Sequence, residues 1–173
     1  MIIGIDIDDT ITETTIIANQ YLVKFDSNYQ DYHDLPKERY YDFLNLYQAD
    51  IVRNNILKEG CKEAFDYLKN SGCKIIIITA RSSEFNPNIE NLTKEFLDNN
   101  HLGYNNLIFM AKDKGLIAKQ QKVELFIDDK EEVLDDISKY NINCIRFTKK
   151  DSKYKTFSNW YDIIEYIKNI RGE

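Results

Sequence analysis

Ile2-Ile3-Gly4-Ile5-Asp6-Ile7, followed at once by Asp8-Asp9-Thr10, opens the chain. On an extended backbone its apolar side chains point to both faces, the pattern of a strand inside a parallel sheet covered on both sides. The strand runs straight into carboxylates. Similar apolar runs recur at 74–79, 107–110 and 123–127, with a weaker one at 142–147. Between them the spacing turns helical. Cys61, Ala64, Phe65 and Leu68 follow i, i+3, i+4, i+7, with Gly60 before and Gly72 after as punctuation. Val133, Leu134 and Ile137 mark another helix, and Trp160, Ile163, Ile164, Ile167 and Ile170 the clearest. Strands alternating with helices predict an open, doubly wound α/β sheet.

One segment breaks the alternation. Residues 15–58 hold no convincing strand and are too long for a plain loop. Ala18, Tyr21, Leu22 and Phe25, then Tyr40, Phe43, Leu44, Tyr47 and Ile51, follow helical spacing, with a polar turn near Asp31 and Pro36. The expectation is a small helical cap at 15–58 inserted into a core made of 1–14 and 59–173.

Composition limits what such a fold could do. The 173 residues are 43% hydrophobic and 30% charged, as in ordinary globular domains. Lys plus Arg number 23 and Asp plus Glu 29, a formal charge of −6, which disfavours coating a nucleic-acid polymer. The longest apolar run, 75–78, is far too short to span a bilayer, and the N-terminus has no basic region of the kind that precedes a signal peptide. Cys61, Cys73 and Cys144 are scattered and odd in number, as expected for buried thiols in a reducing compartment. A cytoplasmic protein is expected.

In an open α/β sheet, ligands bind beyond the carboxyl ends of the strands, so the residues following each run carry the information. These are Asp6, Asp8, Asp9 and Thr10; Thr79, Ala80 and Arg81; Lys112, Asp113 and Lys114; and Asp128 with Asp129. Each group alone has a plain structural explanation: an Asp-Asp pair is commonly a turn or helix cap, and a lysine a solvated surface charge. Asp6 is harder to explain so, because it lies within an otherwise buried run. The conjunction at four strand ends favours a site. Carboxylates crowded together repel unless a hard divalent cation such as Mg²⁺ neutralises them, and a lysine and threonine beside it suit phosphate oxygens. Phosphoryl transfer is the chemistry that fits.

These residues resemble, in order and across the whole chain, the four motifs of the haloacid dehalogenase (HAD) superfamily of phosphohydrolases. Asp6-Ile7-Asp8-Asp9-Thr10 is similar to its DxDxT motif, Ile77-Ile78-Thr79 to its second and Ile127-Asp128-Asp129 to its fourth. More narrowly, Ile78-Thr79-Ala80-Arg81, 92–97, Lys112-Asp113-Lys114 and 126–130 resemble the 5′(3′)-deoxyribonucleotidase branch. The resemblance implies an α/β, HAD-like Rossmannoid parallel sheet flanked by helices, with a small helical cap inserted after the first strand. It implies Asp6 as nucleophile, forming an aspartyl-phosphate, and Asp8 as general acid and then base. Mg²⁺ would be held by the Asp6 carboxylate, the Asp8 backbone carbonyl and one of Asp128 and Asp129, with Asp129 preferred. Thr79 would hydrogen-bond phosphate. Lys114 is the preferred third-motif lysine, with Lys94 and then Lys112 as rivals. Thr10 would tie down the first loop. Arg81 would either contact substrate or pair with a carboxylate.

The expected activity is Mg²⁺-dependent hydrolysis of nucleoside 5′-monophosphates, with deoxyribonucleotides preferred. A sugar phosphate or other small phosphorylated metabolite is the alternative substrate. A phosphoryl-accepting signalling domain would place its acceptor after a middle strand and leave the helical insertion unexplained. A ligand-binding relative without activity would lack the nucleophile or the acid. The cap aromatics, among them Tyr21, Phe25, Tyr40, Tyr41, Phe43 and Tyr47, are expected mostly to pack the cap, with one or two facing the pocket.

Overall fold

The computed structural model describes residues 1–173. Six strands, β1 (Ile2–Ile5), β2 (Lys74–Ile78), β3 (Asn106–Ile108), β4 (Leu125–Asp128), β5 (Asn143–Phe147) and β6 (Lys155–Phe157), form one sheet in the order β3-β2-β1-β4-β5-β6. Every neighbouring pair is parallel. Each return crossing therefore needs a connection over a face of the sheet. Four helices make the crossings inside the alternating part: α3 (Cys61–Asn70), α4 (Ile89–Asn99), α5 (Lys114–Gln120) and α6 (Glu131–Ser138). The helix α7 (Trp160–Arg171) follows the last strand.

Side chains alternate across the strands, and the two faces make two cores. Ile3, Ile5, Ile75, Ile77, Leu125 and Ile127 pack with Cys61, Phe65 and Leu68 of α3, Leu92 and Leu97 of α4, and Trp160, Ile163 and Ile167 of α7. Ile76, Ile78 and Phe126 face the other way, onto Ala118 of α5 and Leu134 and Ile137 of α6. Each such aliphatic side chain contributes about 1.5–3 kcal/mol on burial. At Gly4 the two central strands approach so closely that a Cβ would stand 2.4 Å from the Phe126 ring.

Between β1 and α3 lie α1 (Thr14–Phe25), a 3₁₀ turn at Tyr32–Asp34 and α2 (Lys37–Arg53). They share a third apolar cluster of Ile17, Ala18, Leu22, Tyr32, Leu35, Phe43 and Ile51. Around it Tyr21, Phe25, Phe43 and Tyr47 stack on one another, with ring centroids 5.3–6.2 Å apart.

The architecture is the α/β parallel sheet expected, with differences in detail. The first strand stops at Ile5, so Asp6 begins a loop instead of ending the ladder. A sixth strand, β6, was not expected, because its Lys155-Thr156-Phe157 is too short and too polar to signal a strand. Ile170 is exposed although its spacing placed it on the apolar stripe.

Candidate active site

Because β1 is central, its neighbours β2 and β4 deliver their carboxyl-end loops on either side of residues 6–10. The Asp6 amide donates to the Ile127 carbonyl at 3.0 Å, which seats Asp6 beside the end of β4. Asp6 and Asp128 are both buried, and Lys114 joins them. Its Nζ donates to Asp6 Oδ1 at 2.6 Å and to Asp128 Oδ2 at 2.8 Å, with only 8% of its side chain exposed. Lys114 reaches this position from the first turn of α5, which Asp113 caps by accepting from the Leu116 amide at 2.8 Å.

Both oxygens of Asp128 are engaged, the second accepting the Lys130 amide at 2.9 Å. Asp129 is different. Its Oδ1 is buried without any hydrogen-bond partner, and burial and the neighbouring Asp6 and Asp128 push its carboxyl up to about 8. One oxygen from each of Asp6, Asp128 and Asp129 lies within 4.8 Å of the others. An orphaned carboxylate oxygen in an all-oxygen cluster is what a hard divalent cation would satisfy, so the residues fit Mg²⁺. Burial also drives the Asp6 carboxyl upward, against the opposing pull of Lys114.

Asp8 points elsewhere. The Arg81 guanidinium grips it with Nε to Oδ2 at 3.1 Å and a terminal nitrogen to Oδ1 at 2.7 Å, and the Thr14 hydroxyl adds a third bond at 2.7 Å. Burial alone would raise the Asp8 carboxyl, but Arg81 and Thr14 outweigh it and hold it below the usual range. Thr14 is itself steadied by Asn55 Nδ2 at 2.9 Å and by Thr12 at 2.8 Å. Asp9 takes the left-handed backbone, φ 59°, and turns its carboxylate onto the Thr15 amide and hydroxyl at the start of α1.

The remaining expected residues sort clearly. Thr79 is fully buried, and its Oγ1 accepts the Arg81 amide at 3.2 Å, leaving the hydroxyl proton free to donate. Of the two alternatives for Arg81, carboxylate pairing is the one observed, with 4% of its side chain exposed and its last arm on Thr93 at 3.0 Å. Lys94 stands apart from the cluster, 48% exposed on α4 opposite Glu90. Lys112 lies at the rim of the pocket of Asp6 and Lys114, but it is 82% exposed and faces Glu84. Thr10 ties down the loop through its backbone, not its hydroxyl. Its carbonyl accepts Trp160 Nε1 at 3.0 Å, while the hydroxyl is buried without a partner.

Three residues escaped the sequence reading. Lys130 makes no hydrogen bond through its ammonium, yet it faces Asp129, Asp6, Asp8 and Asp128. It lines two cavities that also share Asp8 and Ala80. One is the polar pocket of Asp6 and Lys114; the other runs under α2 and includes Tyr32, Tyr40 and Phe85. Tyr40 belongs to the cap aromatics of which one or two were expected to face a pocket; Tyr32 and Phe85 have no spacing to mark them.

No family model matches the chain. A haloacid dehalogenase-like family hydrolase from Streptococcus pneumoniae superposes with a TM-score of 0.66 at 13% identity, over 96% of this chain and 97% of that one. The chain has the HAD-superfamily fold. A structure described as a "predicted phosphatase" from Clostridium acetobutylicum superposes with a TM-score of 0.69 at 15% identity, over 97% and 98% of the two chains. In sequence, a Bacillus subtilis (strain 168) protein named "Putative nucleotidase YqfW" is 26% identical, over 96% of this chain and 93% of its own length.

Proposed function

We propose that the protein is a Mg²⁺-dependent phosphomonoesterase that hydrolyses nucleoside 5′-monophosphates through an aspartyl-phosphate on Asp6. The observation that carries this reading is the buried set of Asp6, Lys114 and Asp128 beside the unpartnered Asp129 oxygen, at the strand ends where this fold binds ligands. The sequence likeness to a protein named as a nucleotidase supports the choice of substrate.

Lys114 holds Asp6 Oδ1, which leaves Oδ2 to attack phosphorus. As that P–O bond forms, the bond to the ester oxygen breaks, and the departing oxygen takes a proton from Asp8. Asp8 then removes a proton from water. The resulting oxygen attacks the same phosphorus, and the bond to Asp6 breaks to release phosphate. The Lys114 ammonium and the Thr79 hydroxyl offset charge on the non-bridging oxygens. Mg²⁺, held by the Asp6 carboxylate, the Asp8 carbonyl and Asp129, would supply charge neutralisation for the phosphoryl group. Residues 15–58 act as the cap that closes one side of the site.

Phosphate release from nucleoside 5′-monophosphates and sugar phosphates tests the proposal, run with Mg²⁺, with EDTA and with Asp6→Asn. Metal-dependent release from nucleotides that disappears in Asp6→Asn is expected. Release from sugar phosphates alone would keep the chemistry and overturn the nucleotide assignment.

A further inference from the structure

The cavity under α2 contains a polar atom with nothing to bind. Tyr40, Leu44, Gln48 and Ile51 recur along one stripe of α2 and line this cavity with Val52, Tyr32, Phe85, Ala80 and Arg81. The wall that α2 supplies is aromatic and aliphatic and Gln48 interrupts it, while Asp8, Thr14, Arg81, Ser82 and Lys130 make the side toward the candidate reaction centre polar. The Gln48 Oε1 is buried and has no hydrogen-bond partner. A buried, unsatisfied carbonyl is costly, and in a cavity that opens onto the candidate reaction centre it marks a place where something else completes the bond.

From these observations we propose that Gln48 is a specificity-determining residue, whose carboxamide accepts a hydrogen bond from the ring edge of the substrate's nucleobase. The proposal rests on the phosphatase reading for the position of the phosphate. The pocket itself argues for a base over a sugar. A sugar ring seated against the α2 wall would turn hydroxyl groups onto Leu44, Ile51 and Val52, away from the polar groups at the mouth that the phosphate end would occupy. A planar heteroaromatic ring presents apolar faces to the walls and a polar edge to one amide. The Tyr32 and Tyr40 rings stack on each other, 5.8 Å apart at 13°, and both line the cavity, so a planar ring would meet aromatic surface there. The cavity is partly open, with a volume of about 160 Å³, close to the roughly 150 Å³ of an apolar cavity that takes up benzene. One ring fits within it. Because Asp8, Ala80 and Lys130 line both cavities, a phosphate beside Asp6 and a ring beside Gln48 can belong to one molecule.

Binding, not turnover, is the appropriate test, since it is read whether or not the protein hydrolyses anything. Asp6→Asn and Asp6→Asn/Gln48→Leu are titrated in Mg²⁺ buffer by calorimetry with pyrimidine and purine nucleoside 5′-monophosphates and with ribose 5-phosphate, the same molecule without its base. Asp6→Asn is expected to bind at least one nucleotide more tightly than ribose 5-phosphate, and Gln48→Leu to shrink that margin by about 10-fold or more. An equal margin in both variants, or no preference for nucleotides in the first, overturns the proposal. A Gln48-dependent margin in a protein whose wild type releases no phosphate would overturn the phosphatase reading and leave the base pocket standing. Gln48→Leu removes a buried orphan, so its ligand-free melting temperature should match or exceed the parent's, which separates lost recognition from lost folding.

Discussion

Arg81 holds Asp8 as a two-pronged fork, at 3.1 and 2.7 Å, from the loop after β2, so the residue proposed as acid and base is kept ionised by a neighbouring strand end. The proposed first step needs Asp8 protonated. Weakening the fork should therefore raise the Asp8 pKa and carry the alkaline limb of the kcat/KM profile to higher pH. Arg81→Lys, which keeps the charge and loses the fork, is the variant to measure. An unshifted alkaline limb would remove Asp8 from the acid role.

The carboxylate cluster predicts a coupling between pH and metal. The Asp129 carboxyl is raised to about 8 by burial and its acidic neighbours. A raised folded-state pKa contributes stability that is fully present below the unfolded value near 3.8 and is lost as pH rises through 8. Metal-free protein should thus melt at progressively lower temperature between about pH 4 and 8. Added Mg²⁺ should restore most stability at the upper end, where the carboxylates are ionised. Melting curves at several pH values, with EDTA and with Mg²⁺, check both halves.

Lys114 is the sole cation bonded to Asp6 and Asp128. Lys114→Met should strand two buried carboxylates and cost about 3–5 kcal/mol in stability, readable as a shift in urea midpoint. Adding Asp6→Asn to that variant should recover part of the loss, because it removes one of the stranded charges.

Lys94 and Lys112 make the contrasting case. Both are exposed and paired across solvent with Glu90 and Glu84 at 3.8 and 3.7 Å. Such pairs are worth about 0–1 kcal/mol. Neither lysine bonds a group proposed to react, so Lys94→Ala and Lys112→Ala should each leave kcat/KM within about twofold of wild type. A large loss of kcat/KM in either would relocate the third-motif lysine.

Gly4→Ala separates packing from chemistry. The new methyl would collide with Phe126 between the two central strands, an overpacking cost of about 1–3 kcal/mol. Melting temperature should fall while the folded fraction keeps its Mg²⁺ affinity.

Asp6, Asp8, Thr79, Asp128 and Asp129 were legible as a group because a parallel sheet sends whatever follows each apolar run to the same edge. The apolar stripe of α2 was legible too, since Tyr40, Phe43, Leu44, Tyr47 and Ile51 all lie in or against one cluster. Which residues of α2 turn toward the cavity was not, because that depends on how the helix lies across the loop after β1, and no periodicity encodes it. Gln48 reads as an ordinary polar residue of an amphipathic helix, and Lys130 as a surface charge after a motif. Phe85 lies in a loop without any pattern. The strand β6 failed for a related reason: its three residues are held by pairing with β5, a partner the local sequence does not name.

The bond from Trp160 Nε1 to the Thr10 carbonyl spans 150 residues of chain. It makes the docking of α7 part of how the site is built. The loop that carries Asp6 and Asp8 is held by Arg81 on one side and by the Lys58 amide on the Ile11 carbonyl on another. Trp160 adds a brace from a helix whose own residues line neither cavity. A substitution far from every reacting group, on α7, can therefore loosen the nucleophile's loop.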